Sequence, residues 1–119
     1  MPEKKLKHLF ISMPMNGLPE ETILKNQLMY RKRVESFTGE EFYLIDNVNK
    51  HIKGDPKDLR TRLKYLADSL SIMADADLVY FAPGWEDAKG CKIEYECAKA
   101  YGIKMIVNKK EDRRKPNGT

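Results

Sequence analysis

The feature that most constrains the fold is an alternation. Four short apolar runs are separated by stretches with helical spacing. The runs are His8-Leu9-Phe10-Ile11-Ser12 (beginning near Leu6), Phe42-Tyr43-Leu44-Ile45, Leu78-Val79-Tyr80-Phe81-Ala82 and Lys104-Met105-Ile106-Val107. Each is short, aliphatic and aromatic, and bounded by turn-forming or polar residues, the pattern of a strand. After the first run, Pro19 with Glu20 and Glu21 opens a helix. Proline suits a first helical turn, and acids favour the positive end of the helix dipole. Ile23, Tyr30, Val34 and Phe37 recur at helical spacing with Leu24 and Leu28 beside them, and Gly39 is a stop. Residues 46–54 are polar and predict a surface loop. Asp55 then caps a second helix, with Pro56 at its first position. Leu59, Leu63, Leu66, Leu70 and Met73 follow at steps of four and three, the clearest amphipathic stripe in the chain. Asp75-Ala76-Asp77 ends it. A third helix runs from about Lys89 to Tyr101, with Gly102 as its stop.

Strand and helix in turn give a parallel sheet with helices on both faces. Right-handed crossovers leave few topologies. The expected fold is α/β: an open parallel sheet of four or five strands, order 2-1-3-4, Rossmann- or flavodoxin-like. In that order the chain changes direction between strands one and three. Ligands of open α/β sheets bind beyond the carboxyl ends of the strands at such a point. The loops there are Ser12 to Gly17 and Pro83 to Gly90, the stretches richest in glycine, proline and polar residues.

Composition narrows the function. The chain has 119 residues and a formal net charge of +4. One domain, residues 1–108, is expected, followed by a basic tail, 109–119, expected to be flexible. The tail holds five Lys/Arg against two Asp/Glu, so the domain itself is nearly neutral. The tail reads as solvated rather than as a nucleic-acid arm. No apolar run approaches the ~20 residues of a membrane helix. No apolar segment follows the first lysines, so no signal peptide is expected and the cytoplasm is the expected location. Cys91 and Cys97 lie six apart on one helix. That spacing suits neither a disulfide nor a zinc pair, and both read as buried, reduced thiols. No GxxxxGK[ST] or GxGxxG pattern occurs. Ser12-Met13-Pro14 lacks the acidic cluster of a phosphoacceptor site. His8 and His51 fall outside both loops, which argues against a histidine-based triad or metal site. No cofactor and no metal are expected.

A carboxylate remains. Residues three and four apart share a helical face. Glu94 therefore neighbours Cys91, Cys97 and Ala98 on the apolar side, whereas Glu96 neighbours Lys92, Lys99 and Ala100. An inward carboxylate is costly unless it has a partner or a task, though at the edge of the stripe it could reach water. As a nucleophile, Glu94 suits attack at the anomeric carbon of a nucleoside, whose transition state resembles an oxocarbenium ion. Trp85 and Tyr80 could stack on a base, and Trp85 could equally be a packed lid. Ser12, Asn16 and backbone N–H groups near Gly17 could hold sugar hydroxyls or a phosphate, and Asn16-Gly17 could equally be an ordinary turn. Gly90, without a side chain, would let a sugar approach the helix start.

Two segments carry a family resemblance. Ser12-Met13-Pro14-Met15-Asn16-Gly17 resembles the first-strand motif of the nucleoside 2-deoxyribosyltransferase-like superfamily. Ala76-Asp77, the apolar run after it, and Pro83-Gly84-Trp85-Glu86-Asp87-Ala88-Lys89-Gly90-Cys91-Lys92-Ile93-Glu94 resemble its central motif. The nearest likeness is to a small bacterial and phage branch of unassigned function, and it extends to about Asn108. The resemblance implies that Glu94 is the catalytic glutamate, forming a covalent glycosyl-enzyme. It implies a substrate site built from Ser12, Met13, Pro14, Asn16, Gly17, Pro83, Gly84, Trp85 and Gly90, and a homo-oligomer. Related enzymes carry an aspartate upstream of the Ala-Asp pair that positions or protonates the leaving base. Ser69 stands there, with Asp68 adjacent. Lys89 stands where related nucleotide hydrolases carry serine. The expected function is N-glycosidic cleavage or base exchange on a small-molecule nucleoside or nucleotide. The alternative is a non-catalytic module of the same fold that binds a nucleotide-like ligand.

Overall fold

The computed structural model describes residues 5–48 and 52–109. His51 and most of the basic tail lie outside the described residues. Four strands, β1 (Lys7–Ser12), β2 (Phe42–Leu44), β3 (Leu78–Phe81) and β4 (Met105–Val107), alternate with three helices, α1 (Glu20–Thr38), α2 (Leu59–Met73) and α3 (Lys89–Ala100). Every strand pairing is parallel, and the sheet order is β2-β1-β3-β4. The expected open α/β sheet of order 2-1-3-4 is the observed one, with four strands among the described residues.

Side chains alternate across a strand, so β1 and β3 each feed two cores. Leu9, Ile11, Leu78 and Tyr80 pack with Ile23, Val34 and Tyr30 of α1 on one face. Phe10, Val79 and Phe81 pack on the other face with Met73 of α2 and Cys91 and Ala98 of α3. Helices therefore cover both faces. β1 and β3 at the centre are sealed, with Leu9, Phe10, Ile11, Val79 and Phe81 all at 0% exposure.

The helix limits follow their caps, with one correction. α1 stops at Gly39, whose positive φ of 74° lets its N–H reach the Glu35 carbonyl. α2 does not open at Asp55 and Pro56. Those residues form a turn, in which Asp55 accepts from the Lys57 and Asp58 N–H groups. Asp58 is the cap: its Oδ1 accepts from the Arg60 N–H at 3.0 Å. Two aspartates offered caps, and the later one lies where the backbone turns helical.

The apolar stripes also need correction. Leu59 and Leu63, expected to point inward, are 67% and 64% exposed, whereas Met73 at the other end of α2 is buried. The buried face of α2 runs through Thr61, Ser69 and Met73, and Leu59 and Leu63 lie outside it. Phe37 of α1 is likewise outward, at 79% exposure. Among the described residues of the loop expected over 46–54, one is buried. Asn47 is 2% exposed; its Nδ2 donates to the Ile11 carbonyl at 3.0 Å. Ile45 N–H still bonds the Leu9 carbonyl after β2 has ended, and Asn47 continues this ladder with its side chain. Gln27 of α1 donates to Asn47 Oδ1 at 2.6 Å and ties helix to loop. No described helix is long and apolar enough to cross a membrane.

Replacing an N-cap aspartate by alanine removes about 1 kcal/mol. Asp58→Ala is expected to lower the melting temperature by roughly 4–8 °C, a shift typical of that loss in a domain of this size. Asp55→Ala should cost less. Thermal denaturation of the two variants checks this, and a larger loss from Asp55→Ala would return the start of α2 to the earlier position.

Candidate functional site

The loops beyond β1 and β3 meet. Ala82 N–H bonds the Ser12 carbonyl at 2.9 Å and carries the β1–β3 ladder past the end of β3. Gly84 then turns the chain at φ 91°, a conformation that favours glycine. A Cβ added there would lie 3.5 Å from Pro14 Cγ, so the two loops are in contact. Trp85–Asp87 form a single 3₁₀ turn, absent from the sequence reading, before α3 begins at Lys89.

This geometry brings Ser12 and Glu94 together. Ser12 is the last residue of β1 and points, like Phe10, towards the α3 face. Glu94 lies on the second turn of α3. Both are buried, at 1% and 7% exposure. Ser12 Oγ donates to Glu94 Oε1 at 2.6 Å, the length of a charge-assisted O–H···O bond. Glu94 faces inward, as its neighbours on the helix predicted, and Glu96 is exposed.

Burial pushes the Glu94 carboxyl up from 4.5 to about 7, and the Ser12 hydroxyl opposes the rise. No charged neighbour contributes. Burial pushes the Cys91 thiol from 9.0 to about 11; Ser12 lowers it and the Glu94 charge raises it. Cys91 is therefore a thiol at neutral pH and a weak nucleophile. Glu94 is the group poised between its two forms. Sequence reasoning treated Cys91 only as an apolar neighbour. Its position three residues before Glu94 was the available signal that both meet the same strand end.

The other expected site residues divide. Met13 is buried in the α1-side core, and Pro14 is half-buried at the loop contact. Asn16 and Gly17 are exposed in a turn closed by Leu18 N–H to the Met15 carbonyl, with Gly17 at φ 82°. Pro83, Gly84 and Lys89 are exposed. A Cβ on Gly90 would lie 3.9 Å from Leu66 Cδ1, an ordinary contact, so packing alone does not demand glycine there. Asp68 is half-buried and Ser69 buried on α2. Trp85 is 7% exposed, stacks on Tyr95 at 4.7 Å and donates its indole N–H to the Asn108 carbonyl at 2.6 Å. Of its two readings, the packed one fits this environment, and little ring surface is left for a base. Tyr80 is in the core against Tyr30. Among the described residues no three His, Cys, Asp or Glu side chains converge as metal ligands. Two surface concavities lie away from Glu94. One runs along the outer face of α1 at Leu24, Leu28 and Met29; the other lies by Lys7, Phe42 and Lys104.

Residues 7–107 match the family model of DUF4406, a domain of unknown function. The chain belongs to this family. The matched span begins with β1 and ends with β4, so the whole sheet and the Ser12–Glu94 pair lie inside the DUF4406 domain. No curated protein and no solved structure matches the chain.

A carboxyl group whose folded pKa is raised stabilises the fold below its unfolded value and loses that contribution as pH rises through the folded one. For Glu94 the window runs from 4.5 to about 7. Such a shift corresponds to about 3 kcal/mol. Glu94→Gln removes the ionisation. The melting temperature of the variant relative to wild type should therefore rise between pH 5 and about pH 7 and level off above it. A pH-independent difference in thermal scans would show that Glu94 does not titrate in that window.

Proposed function

We propose that this DUF4406 domain cleaves or exchanges the N-glycosidic bond of a nucleoside or nucleotide, with Glu94 as nucleophile. The observation that carries the reading is the Glu94 carboxylate itself. It is buried, fixed at one oxygen by Ser12, and located where the β1 and β3 loops meet. A carboxylate so placed without a neighbouring cation is suited to a reacting centre that becomes positive. Its raised pKa keeps it available in both forms near neutrality. The likeness of Ser12 to Gly17 and Pro83 to Glu94 to the nucleoside 2-deoxyribosyltransferase-like superfamily supports the same assignment.

In this reading one Glu94 oxygen bonds to the anomeric carbon, and the carbon–nitrogen bond breaks with its electron pair leaving on the base. The departing nitrogen takes up a proton from solvent, which the attacking water or second base returns in the next step. Water or a second base then attacks the anomeric carbon, breaks the glycosyl ester and returns the carboxylate. Attack requires the ionised form, so kcat/KM rises with pH through about 7. The protein acts in the cytoplasm as a homo-oligomer. The exposed Leu59 and Leu63 of α2 favour burial against a second copy.

The test is incubation with a panel of nucleosides and nucleotides, reading free base by chromatography. Glu94→Gln should abolish base release, a loss of several orders of magnitude typical of a removed nucleophile. Exposed Glu96→Gln should leave it unchanged. Equal turnover by wild type and Glu94→Gln would refute the assignment. Ligand-induced stabilisation without turnover would replace it with a non-catalytic binding module.

A further inference from the structure

We infer that Ser12 is the positioning residue of the Glu94 carboxylate: its hydroxyl occupies Oε1 and leaves Oε2 as the reacting oxygen. This rests on the reading of Glu94 as the reacting group and goes beyond it. Ser12 is thereby moved from the substrate-binding role its sequence position suggested to a role behind the nucleophile.

Three observations carry the assignment. The first is the bond itself. Ser12 Oγ donates to Oε1 at 2.6 Å, between residues 82 apart in sequence, and both side chains are buried. A serine hydroxyl has one hydrogen to give. With that hydrogen on Oε1, it is not available to a substrate hydroxyl. The second is the asymmetry of the carboxylate. Among the described residues Oε2 has no hydrogen-bond partner, yet it is not one of the sealed, unpartnered polar atoms, which are Gln27 Oε1 and Arg31 Nε. The third is rigidity. Ser12 is the end of a central strand whose backbone is held from both sides, by Asn47 Nδ2 on the Ile11 carbonyl and by Ala82 N–H on the Ser12 carbonyl. A donor on such a frame fixes a helix-borne carboxylate better than a donor on a loop.

The Cys91 thiol lies beside this pair without holding the carboxylate. Burial keeps Cys91 protonated, Ser12 opposes this, and the Glu94 charge adds to it. The hydrogen bond that Ser12 makes is the one to the carboxylate. Cys91 is the ionisable neighbour of this pair. The Glu94 shift has two causes, burial and Ser12, and no charged side chain from β1, β3, α2 or α3 is among them.

The experiment follows Glu94 directly and needs no substrate. Carbon-13 NMR of glutamate-labelled protein gives its titration midpoint, with the resonance assigned by its loss in Glu94→Gln. Ser12→Ala should raise the midpoint by about one to two pH units, the effect of removing a hydrogen bond to a charged acceptor. Ser12→Thr, which keeps the hydroxyl on a residue suited to a strand, should bring it back towards wild type. Cys91→Ala is the control for loosened packing and should leave the midpoint within a few tenths of a unit of wild type, since Cys91 is not among the causes of the shift. An unmoved midpoint in Ser12→Ala, or an equal rise in Cys91→Ala, overturns the assignment whatever reaction the domain performs. On a substrate from the panel, Ser12→Ala should lower kcat about ten- to a hundredfold with little change in KM, the signature of an interaction that matters in the transition state. A rise in KM alone would return Ser12 to substrate binding. A shifted midpoint with full turnover by Glu94→Gln would instead leave the hydrogen bond standing and sink the nucleophile reading.

Discussion

The site depends on a carboxylate that is buried without a counter-charge. Glu94 is 7% exposed, and one serine hydroxyl is the hydrogen bond that holds it. Removing a carboxylate from water is costly unless it is paired or stays partly protonated. Here the group does the second, sitting near its own midpoint at neutral pH. The surrounding geometry serves to keep it there. β1 must end at Ser12, β3 must leave the sheet beside it, and α3 must start soon enough to bring its second turn over the strand end. Gly84, with its left-handed backbone, makes that short return possible.

A second polar group is buried for a different reason. Asn47 and Gln27 lie on the opposite, α1 side of the sheet. Their amides satisfy one another and the free carbonyl of Ile11, where β2 has diverged from β1. Buried backbone groups are nearly always paired, and a side-chain amide is the substitute when a strand ends early. The two networks thus flank the last turn of β1 from either face. One fixes the strand end; the other uses it.

The order of elements was legible because each signal was local. Apolar runs of four or five residues, a proline with two acids at a helix start, and glycines at Gly39 and Gly102 need no tertiary knowledge. The inward face of Glu94 was legible for the same reason, since helical periodicity assigns sides. What periodicity does not give is the extent of the surface beneath. The leucine stripe of α2 named Met73 correctly, but the buried face runs through Thr61 and Ser69 and leaves Leu59 and Leu63 outside. Asn47 carried no signal at all. It is a polar residue in a polar loop, and its burial comes from a ladder position that only strand register defines. The Ser12–Glu94 bond is of the same kind. Both residues were singled out, but their meeting follows from where β1 and α3 stop and start. Trp85 had two readings, a base-stacking ring and a packed lid, and Tyr95 of α3, which covers its ring, decides between them.

The choice of serine as the partner has a physical consequence. A lysine or arginine beside Glu94 would hold the carboxylate ionised well below neutral pH, since an opposite charge lowers a carboxyl pKa by about one to three units. It would also cancel the field that the carboxylate offers to anything above it. A hydroxyl stabilises the ionised form less, and it brings no net charge. The cost is a carboxyl whose pKa stays high, at about 7. The gain is that no neighbouring cation compensates its negative charge when it ionises. For a nucleophile facing carbon that becomes positive as its bond to nitrogen breaks, attraction must be strongest in the transition state and weak for the neutral ground state. A buried carboxylate held by serine has that property, and the same carboxylate in a salt bridge does not.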